Sequence, residues 1–209
     1  MSHVVLLGDS IFDNTAYVNG KSAAIDQLRN KLPDGCKTTL LAVDGHITID
    51  VLRQLDGLPA DVTHLFVSTG GNDALRSNHI LSESARSVAE VLNRFAAIQD
   101  NFRRDYNAML ERVLNYNKPT TVCTIYDSIP GLNPSAVTAL SMFNDVILRE
   151  AFIVKIPVID LRLICNEPID YSNFSPIEPS IFGGEKITTA IVNVLTTYDP
   201  SSRQSLIYA

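Results

Sequence analysis

Short apolar runs alternate along this chain with segments whose apolar residues recur about every 3.6 positions. The continuous runs predict buried strands, because parallel strands that are covered on both faces have no polar side. The segments between them keep one apolar face, as in residues 137–151 and 187–195, which predicts helices. The strands are predicted at residues 4–7, 39–43, 65–67, 122–125 and 158–159.

Repeated alternation of strands and helices predicts an α/β fold with a parallel sheet, because right-handed crossovers connect such strands. Residues 84–116 are long enough for one long helix or two shorter ones. No repeat or linker divides the chain, so residues 1–209 are predicted to form one domain. Residues 165–180 contain three prolines and little periodicity, which is typical of a functional loop.

Four loops with polar residues are predicted to follow strands of this sheet. Open α/β sheets bind their ligands outside the carboxyl ends of the strands, so these loops are expected to meet at one edge. The loops contain Gly8-Asp9-Ser10, Asp44-Gly45-His46, Gly70-Gly71-Asn72-Asp73 and Ser175-Pro176-Ile177-Glu178.

Composition narrows the classes of function. The formal net charge of −6 and a calculated pI of about 5.1 argue against a nucleic-acid surface. No run of about 18 apolar residues predicts a membrane span, and the apolar start is too short for a signal peptide. Three widely spaced cysteines, Cys36, Cys123 and Cys165, suit reduced thiols in a cytoplasmic protein. No cluster with metal-ligand spacing is present, so no metal is expected.

The four blocks resemble those of the SGNH, or GDSL, hydrolases, and the resemblance covers nearly the whole chain. It implies a flavodoxin-like three-layer sandwich with a five-stranded parallel sheet of order 2-1-3-4-5. It also implies hydrolysis of acyl esters, thioesters or acetylated sugars, with a small-molecule ester as substrate and without a cofactor. Ser10 is then the nucleophile, and the oxyanion hole comprises the backbone N–H groups of Ser10 and Gly45 and the Asn72 amide. The last block departs from the family, because Ser175 replaces its Asp and Glu178 replaces its His.

The residue types suit these roles. Gly8 permits a sharp turn that exposes the Ser10 hydroxyl, and a loop that leads towards a helix offers N–H groups to a developing negative charge. Asn72 has two N–H donors and no charge to titrate, and Gly45 can bring its backbone close to a ligand. Each segment also fits an ordinary turn, because Gly, Asn, Asp and Ser favour turns by composition alone.

Glu178 is the favoured general base, although an exposed Glu is a weaker base than His by roughly 3 kcal/mol. Burial among Pro176, Ile177 and Pro179 is expected to raise its pKa towards the range of about 6–7 that enzymes use. A carboxylate needs no partner to fix a tautomer, so losing the family's Asp together with its His is chemically coherent. The alternative is a structural carboxylate near the N-terminus of the last helix, where the dipole lowers its pKa.

His46 and His79 are the alternative bases, because both adjoin the predicted site and can titrate near neutrality. A solvated loop histidine is the simpler interpretation of each, and His3 and His64 are expected to be structural. A glycosidase-like pair of Asp9 and Glu178 is a further, less favoured alternative. The sequence therefore predicts a serine esterase of lipase or acetylesterase type, or else a catalytically impaired relative that binds an acyl or carbohydrate ligand.

Overall fold

Six parallel strands form the central sheet of this computed structural model, which describes residues 2–202 and 204–209. The strand order is β2-β1-β3-β4-β5-β6. All the described pairs are parallel, as the alternation of strands and helices predicts. The strands are β1 (His3–Gly8), β2 (Lys37–Leu40), β3 (His64–Ser68), β4 (Thr120–Cys123), β5 (Val158–Ile159) and β6 (Ile207–Tyr208).

The sheet has one strand more than the five that the sequence predicted. β6 adds to the edge of β5, and two backbone hydrogen bonds of 2.8 Å hold it there, from Val158 to Leu206 and from Asp160 to Tyr208. Ile207 and Tyr208 follow the polar segment 199–205, so no apolar run indicates a strand there, whereas the equally short β5 lies among apolar residues. The second strand is also shorter than predicted, because residues 41–43 leave the regular ladder and only follow the end of β1.

Successive residues of the strands face opposite layers of helices. Val5 and Leu7 pack into one core with the helices of residues 51–54, 88–114 and 134–154, whereas Val4 and Leu6 pack into a second core with those of residues 24–31, 161–164 and 181–197. Residues 84–116 contain one long helix, α4, which begins after Ser87. The helices are α1 (Ala24–Lys31), α2 (Val51–Gln54), α3 (Gly71–Ser77), α4 (Val88–Leu114), α5 (Pro134–Val154), α6 (Leu161–Ile164) and α7 (Ile181–Thr197).

The end of β1 lies unusually close to the end of β3. Gly8 has a φ of +123°, and a Cβ built there would lie 1.7 Å from the Ser68 carbonyl oxygen. Only glycine fits this combination of backbone and contact. The next residue, Asp9, donates its N–H to the same carbonyl at 3.1 Å. Gly8 therefore fixes the point at which the chain leaves the sheet and turns towards Ser10.

In the part of the chain that the structure describes, none of the helices combines the length and the hydropathy that crossing a lipid bilayer would require.

Candidate active site

Ser10 lies in a tight turn directly after β1 and is almost completely buried. The Asp9 carbonyl accepts from the N–H groups of Phe12 and Asp13, which closes the turn around Ser10. The sequence suggested that this loop leads into a helix. In the structure α1 begins only at Ala24, so the turn around Ser10 does not lead directly into it. The backbone N–H groups next to Ser10 therefore belong to this turn and not to the first turn of a long helix.

Asn72 lies in the first turn of α3, which follows β3 through Gly70. Gly70 has a φ of +111°, and this left-handed conformation lets the chain turn from the strand into the helix. The Asn72 amide donates one hydrogen bond to the His46 carbonyl at 2.9 Å. An amide nitrogen carries two hydrogens, so the second remains available to a ligand in the cavity that Asn72 and Ser10 both line.

Glu178 reaches the same cavity from the loop that precedes α7. This loop is closed by short backbone bonds: Ser172 donates to the Glu178 carbonyl at 2.8 Å, and Ser180 donates to Asp170 at 2.8 Å. A bond of 2.7 Å from the Ser172 hydroxyl to the Tyr17 carbonyl ties the loop to the segment after β1. The carboxyl group of Glu178 is thus held beside the turn that contains Ser10.

Burial dominates the electrostatics of Glu178 and raises its pKa to about 7. The neighbouring Ser10 hydroxyl lowers this pKa by its hydrogen-bonding capacity, and the charge of Asp44 raises it. The buried Oε2 of Glu178 has no hydrogen-bond partner among the described residues. The helix dipole does not control this group, since α7 begins at Ile181 with Ser180 as its N-cap and the shift is upward.

A second buried carboxyl, Asp9, adjoins this group. Burial, followed by the charges of Glu178 and Asp73, raises the pKa of Asp9 to about 8, although a hydrogen bond from the Ile11 N–H lowers it. Asp9 therefore holds its proton to a higher pH than an exposed Asp does. The sequence predicts a chemical role for Asp9 only in a glycosidase-like pair. Its burial was not predicted, because no pattern in the neighbouring residues indicates it.

Gly45 does not share the cavity. It lies in an exposed turn, closed by a 3.1 Å bond from the His46 N–H to the Val43 carbonyl, and its φ is +79°. No heavy atom lies within 4 Å of the position that its Cβ would take. The positive φ accounts for the glycine, but the expected approach of its backbone to the site is not present in this arrangement.

The two histidines that were alternative bases also lie outside the cavity lining. Nδ1 of His46 contacts the Gln54 amide at 3.0 Å, which turns the ring towards α2. His79 is exposed on the surface, where its Nδ1 lies 3.1 Å from the Arg76 carbonyl. Within the described chain, the carboxyl groups that line the cavity are those of Asp9 and Glu178.

The cavity has a volume of about 150 Å³. The polar side chains of Ser10, Asn72 and Glu178 share it with walls that are mostly aliphatic and aromatic. These walls come from α3 and the turn that follows it, from the first half of α4 and from α5, which sequence reasoning did not connect with the site. The apolar spacing of these helices was the available signal in the sequence, but the same spacing is typical of residues that belong to the hydrophobic core. The walls include Leu75, Leu81, Phe95, Ile98, Leu140 and Phe143.

Comparison with known proteins finds a family that matches most of the chain. The sequence model of the GDSL-like lipase/acylhydrolase family matches residues 6–177, and the match ends one residue before Glu178. A comparison with the sequences of curated proteins finds no match.

Solved structures share the fold at low sequence identity. The lipase Lip_vut3 from a goat rumen metagenome has a TM-score of 0.73 and 18% identity, over 92% of this chain and 97% of that one. A member of the lipolytic protein G-D-S-L family from Veillonella parvula has a TM-score of 0.70 and 13% identity, over 95% and 100%. An acetyl xylan esterase from Geobacillus stearothermophilus has a TM-score of 0.68 and 12% identity, over 95% and 96%.

Proposed function

We propose that this chain, which belongs to the GDSL-like lipase/acylhydrolase family, hydrolyses acyl esters through a covalent Ser10 acyl-enzyme with Glu178 as general base. One observation carries the proposal: Ser10, Asn72 and Glu178, from three separate segments of the chain, line the same largely apolar cavity. A nucleophile, a neutral donor and a buried carboxyl are the groups that acyl transfer needs.

In the acylation step, the Ser10 oxygen attacks the ester carbonyl carbon while the Glu178 carboxylate takes the hydroxyl proton. The carbonyl π electrons move to the oxygen, and the resulting oxyanion accepts hydrogen bonds from the free Asn72 N–H and the Ser10 backbone N–H. When the tetrahedral intermediate collapses, the C–O bond to the alcohol breaks and the Glu178 carboxylic acid protonates the leaving oxygen. The acyl group is then bonded to Ser10.

Deacylation repeats these steps with water as the nucleophile. Glu178 removes a proton from the attacking water, and Asn72 again binds the oxyanion. The intermediate collapses with Ser10 oxygen as the leaving group, and that oxygen recovers its proton from Glu178. A pKa of about 7 suits both directions, because at neutral pH the group is a stronger base than an exposed Glu and still releases a proton readily.

The proposed oxyanion hole has fewer donors in place than the sequence predicted. Asn72 and the turn around Ser10 line the cavity, whereas Gly45 lies in its exposed turn outside it. We propose that Gly45 becomes a donor only if residues 43–46 close onto a bound ester. Losing one such donor costs about 10²–10³ in rate in other hydrolases, so a slow enzyme is expected.

The apolar walls favour a hydrocarbon acyl group over a carbohydrate. An apolar cavity of about 150 Å³ accommodates a ligand about the size of benzene, which has about six carbons. Esters with acyl chains of about four to eight carbons are therefore the proposed substrates. The leaving alcohol is not specified by these walls.

The test is labelling with a serine-directed phosphonate, followed by mapping of the labelled peptide, together with turnover of p-nitrophenyl hexanoate. We expect the label on Ser10, a burst of p-nitrophenol, and loss of both in Ser10→Ala while the protein remains folded. Turnover at the wild-type rate in Ser10→Ala would show that Ser10 is not the nucleophile. Binding of hexanoate without burst or labelling would favour the alternative, a catalytically impaired relative that binds an acyl ligand. That alternative is motivated by one observation: the described residues that line the cavity include no imidazole.

A further inference from the structure

Gln54, the last residue of α2, is buried and holds the backbone of Gly8 from both sides. The Gly8 N–H donates to Oε1 of Gln54 at 2.8 Å, and Nε2 of Gln54 donates to the Gly8 carbonyl at 2.7 Å. Gly8 is the residue at which β1 ends and the turn to Ser10 begins. Gln54 does not line the cavity, so it has no contact with a substrate there.

This pair of bonds fixes the orientation of the Gln54 amide. A backbone N–H only donates and a carbonyl only accepts, so Oε1 must face the Gly8 nitrogen and Nε2 must face the Gly8 oxygen. The second hydrogen of Nε2 then points to Nδ1 of His46, 3.0 Å away. Nδ1 is therefore the acceptor in this contact, which places the proton of the neutral ring on Nε2.

The chain of contacts continues from His46 to Asn72. The His46 carbonyl accepts one N–H of the Asn72 amide at 2.9 Å, which sets the rotation of that side chain and directs its other N–H. A second connection lies beside it, because Asp73 accepts from both the N–H and the hydroxyl of Thr48 at 3.0 Å. Gln54 thus joins the β1 turn, the 43–48 loop and α3 through hydrogen bonds.

We infer that Gln54 is a positioning residue that sets the placement of Asn72 relative to Ser10, acting through Gly8 and through His46. The inference rests on the proposed function, because it concerns the same reaction. Its physical basis is that an oxyanion donor must be correctly placed before charge develops. A displacement of about 1 Å is enough to lower the rate about 10²-fold. Removing the Gln54 amide frees both ends of this connection.

The experiment is a double-mutant cycle with Gln54→Met and Asn72→Ala, using p-nitrophenyl hexanoate as substrate. Methionine keeps the length of the side chain but cannot form these bonds. We expect Gln54→Met to lower kcat about 10–10²-fold with KM changed less than threefold. In the Asn72→Ala background we expect it to lower kcat less than threefold further, because the donor that it positions is already absent. If the two substitutions instead lower kcat by independent factors that multiply in the double variant, the inference is overturned.

Gln27→Met is the matched control. Gln27 is a glutamine buried to the same extent, and its Nε2 donates to the Ile181 carbonyl at 2.9 Å, on the opposite layer of the sheet. We expect both Met variants to lose stability, since each removes buried hydrogen bonds. Only Gln54→Met should lower kcat. An equal loss of kcat in Gln27→Met would mean that Gln54→Met lowers kcat only through a loss of stability, which would overturn the inference.

A spectroscopic measurement separates this inference from the proposed function. The ¹⁵N chemical shifts of His46 should show an unprotonated Nδ1 in the wild-type protein at pH 8. The side-chain amide signals of Asn72 should shift in Gln54→Met but not in Gln27→Met. A protonated Nδ1 in the neutral ring, or unchanged Asn72 signals, would overturn the inference even for an inactive protein. Failure of Ser10→Ala to lower turnover would instead overturn the proposed function alone.

Discussion

Glu178 and Ser10 line one cavity although they lie in loops at opposite ends of the chain. The two groups act on each other, because the Ser10 hydroxyl lowers the pKa of a carboxyl that burial raises, and the balance is about 7. A histidine in this position would have a similar pKa without burial. The loop around Glu178 therefore gives a carboxylate the basicity that an imidazole has by its chemistry.

Replacing Glu178 with Gln should remove the general base while keeping the size of the side chain. We expect kcat/KM to fall about 10²–10⁴-fold, the usual contribution of a positioned base. In the wild type, kcat/KM should rise with pH through about 7, as Glu178 loses its proton, and this rise should disappear in Glu178→Gln. The measurement is kcat/KM for p-nitrophenyl hexanoate between pH 5 and 9.

His79→Asn is the control for this prediction, since His79 is exposed and lies outside the cavity lining. We expect less than a threefold change. A nearly silent Glu178→Gln together with a large loss in His79→Asn would mean that the surface loop carries the base and moves onto the cavity when substrate binds.

Asp44→Asn should move the pH dependence in a known direction. The negative charge of Asp44 raises the pKa of Glu178, so removing that charge should lower it. Asp44 also accepts a 2.7 Å hydrogen bond from the Tyr17 hydroxyl, and the Asn oxygen can still accept it. The rise of kcat/KM should therefore begin at a lower pH than in the wild type. A rise that stays in place or moves to higher pH would show that Asp44 does not act on the group that titrates.

The sheet edge could be predicted from the sequence because parallel strands bring their following loops together, whatever lies between them. That rule was sufficient to predict Ser10, Asn72 and Glu178 near one another. It could not predict the direction of a turn, which is why Gly45 was expected in the site and lies outside it. Gln54 was missed, and the burial of Asp9 was not expected, for a related reason: their contacts and burial come from segments distant in sequence. β6 was missed because its two residues follow the polar segment 199–205, whereas the equally short β5 lies among apolar residues.

Glu178→Gln should also change stability, with a sign that depends on pH. The pKa of Glu178 is about 7 in the folded protein, above the ordinary value of about 4.3 expected when unfolded. Between these values the folded state keeps a proton that the unfolded state releases, so stability falls as pH rises from about 4.3 to about 7. Gln does not titrate and avoids this loss.

We therefore expect Glu178→Gln to gain about 1–2 kcal/mol over the wild type between pH 5 and pH 8, after allowance for partial solvation. Urea unfolding of both proteins at the two pH values measures the difference. The same difference at both pH values would mean that the carboxyl is not buried as described. A gain in stability together with a loss of activity is what a strained catalytic group predicts.

Ala139→Leu should change which acyl chains the protein accepts. Ala139 is on α5 and lines the cavity, so the larger side chain occupies space that we assign to the acyl group. Each buried methylene stabilises binding by about 0.8 kcal/mol, so displacing two or three of them lowers kcat/KM for p-nitrophenyl hexanoate about 10–60-fold. The acetate ester is too short to reach the lost space, so its kcat/KM should change less than threefold.

Ala96→Leu makes the same substitution at an exposed position of α4 that does not line the cavity, and kcat/KM for both esters should remain at the wild-type value. Unfolding of both variants should be measured in parallel, because overpacking at Ala139 can also reduce stability. Equal losses for hexanoate and acetate in a folded Ala139→Leu variant would place the acyl chain elsewhere, on the exposed side of Ser10, and would leave the apolar cavity without a role in substrate choice.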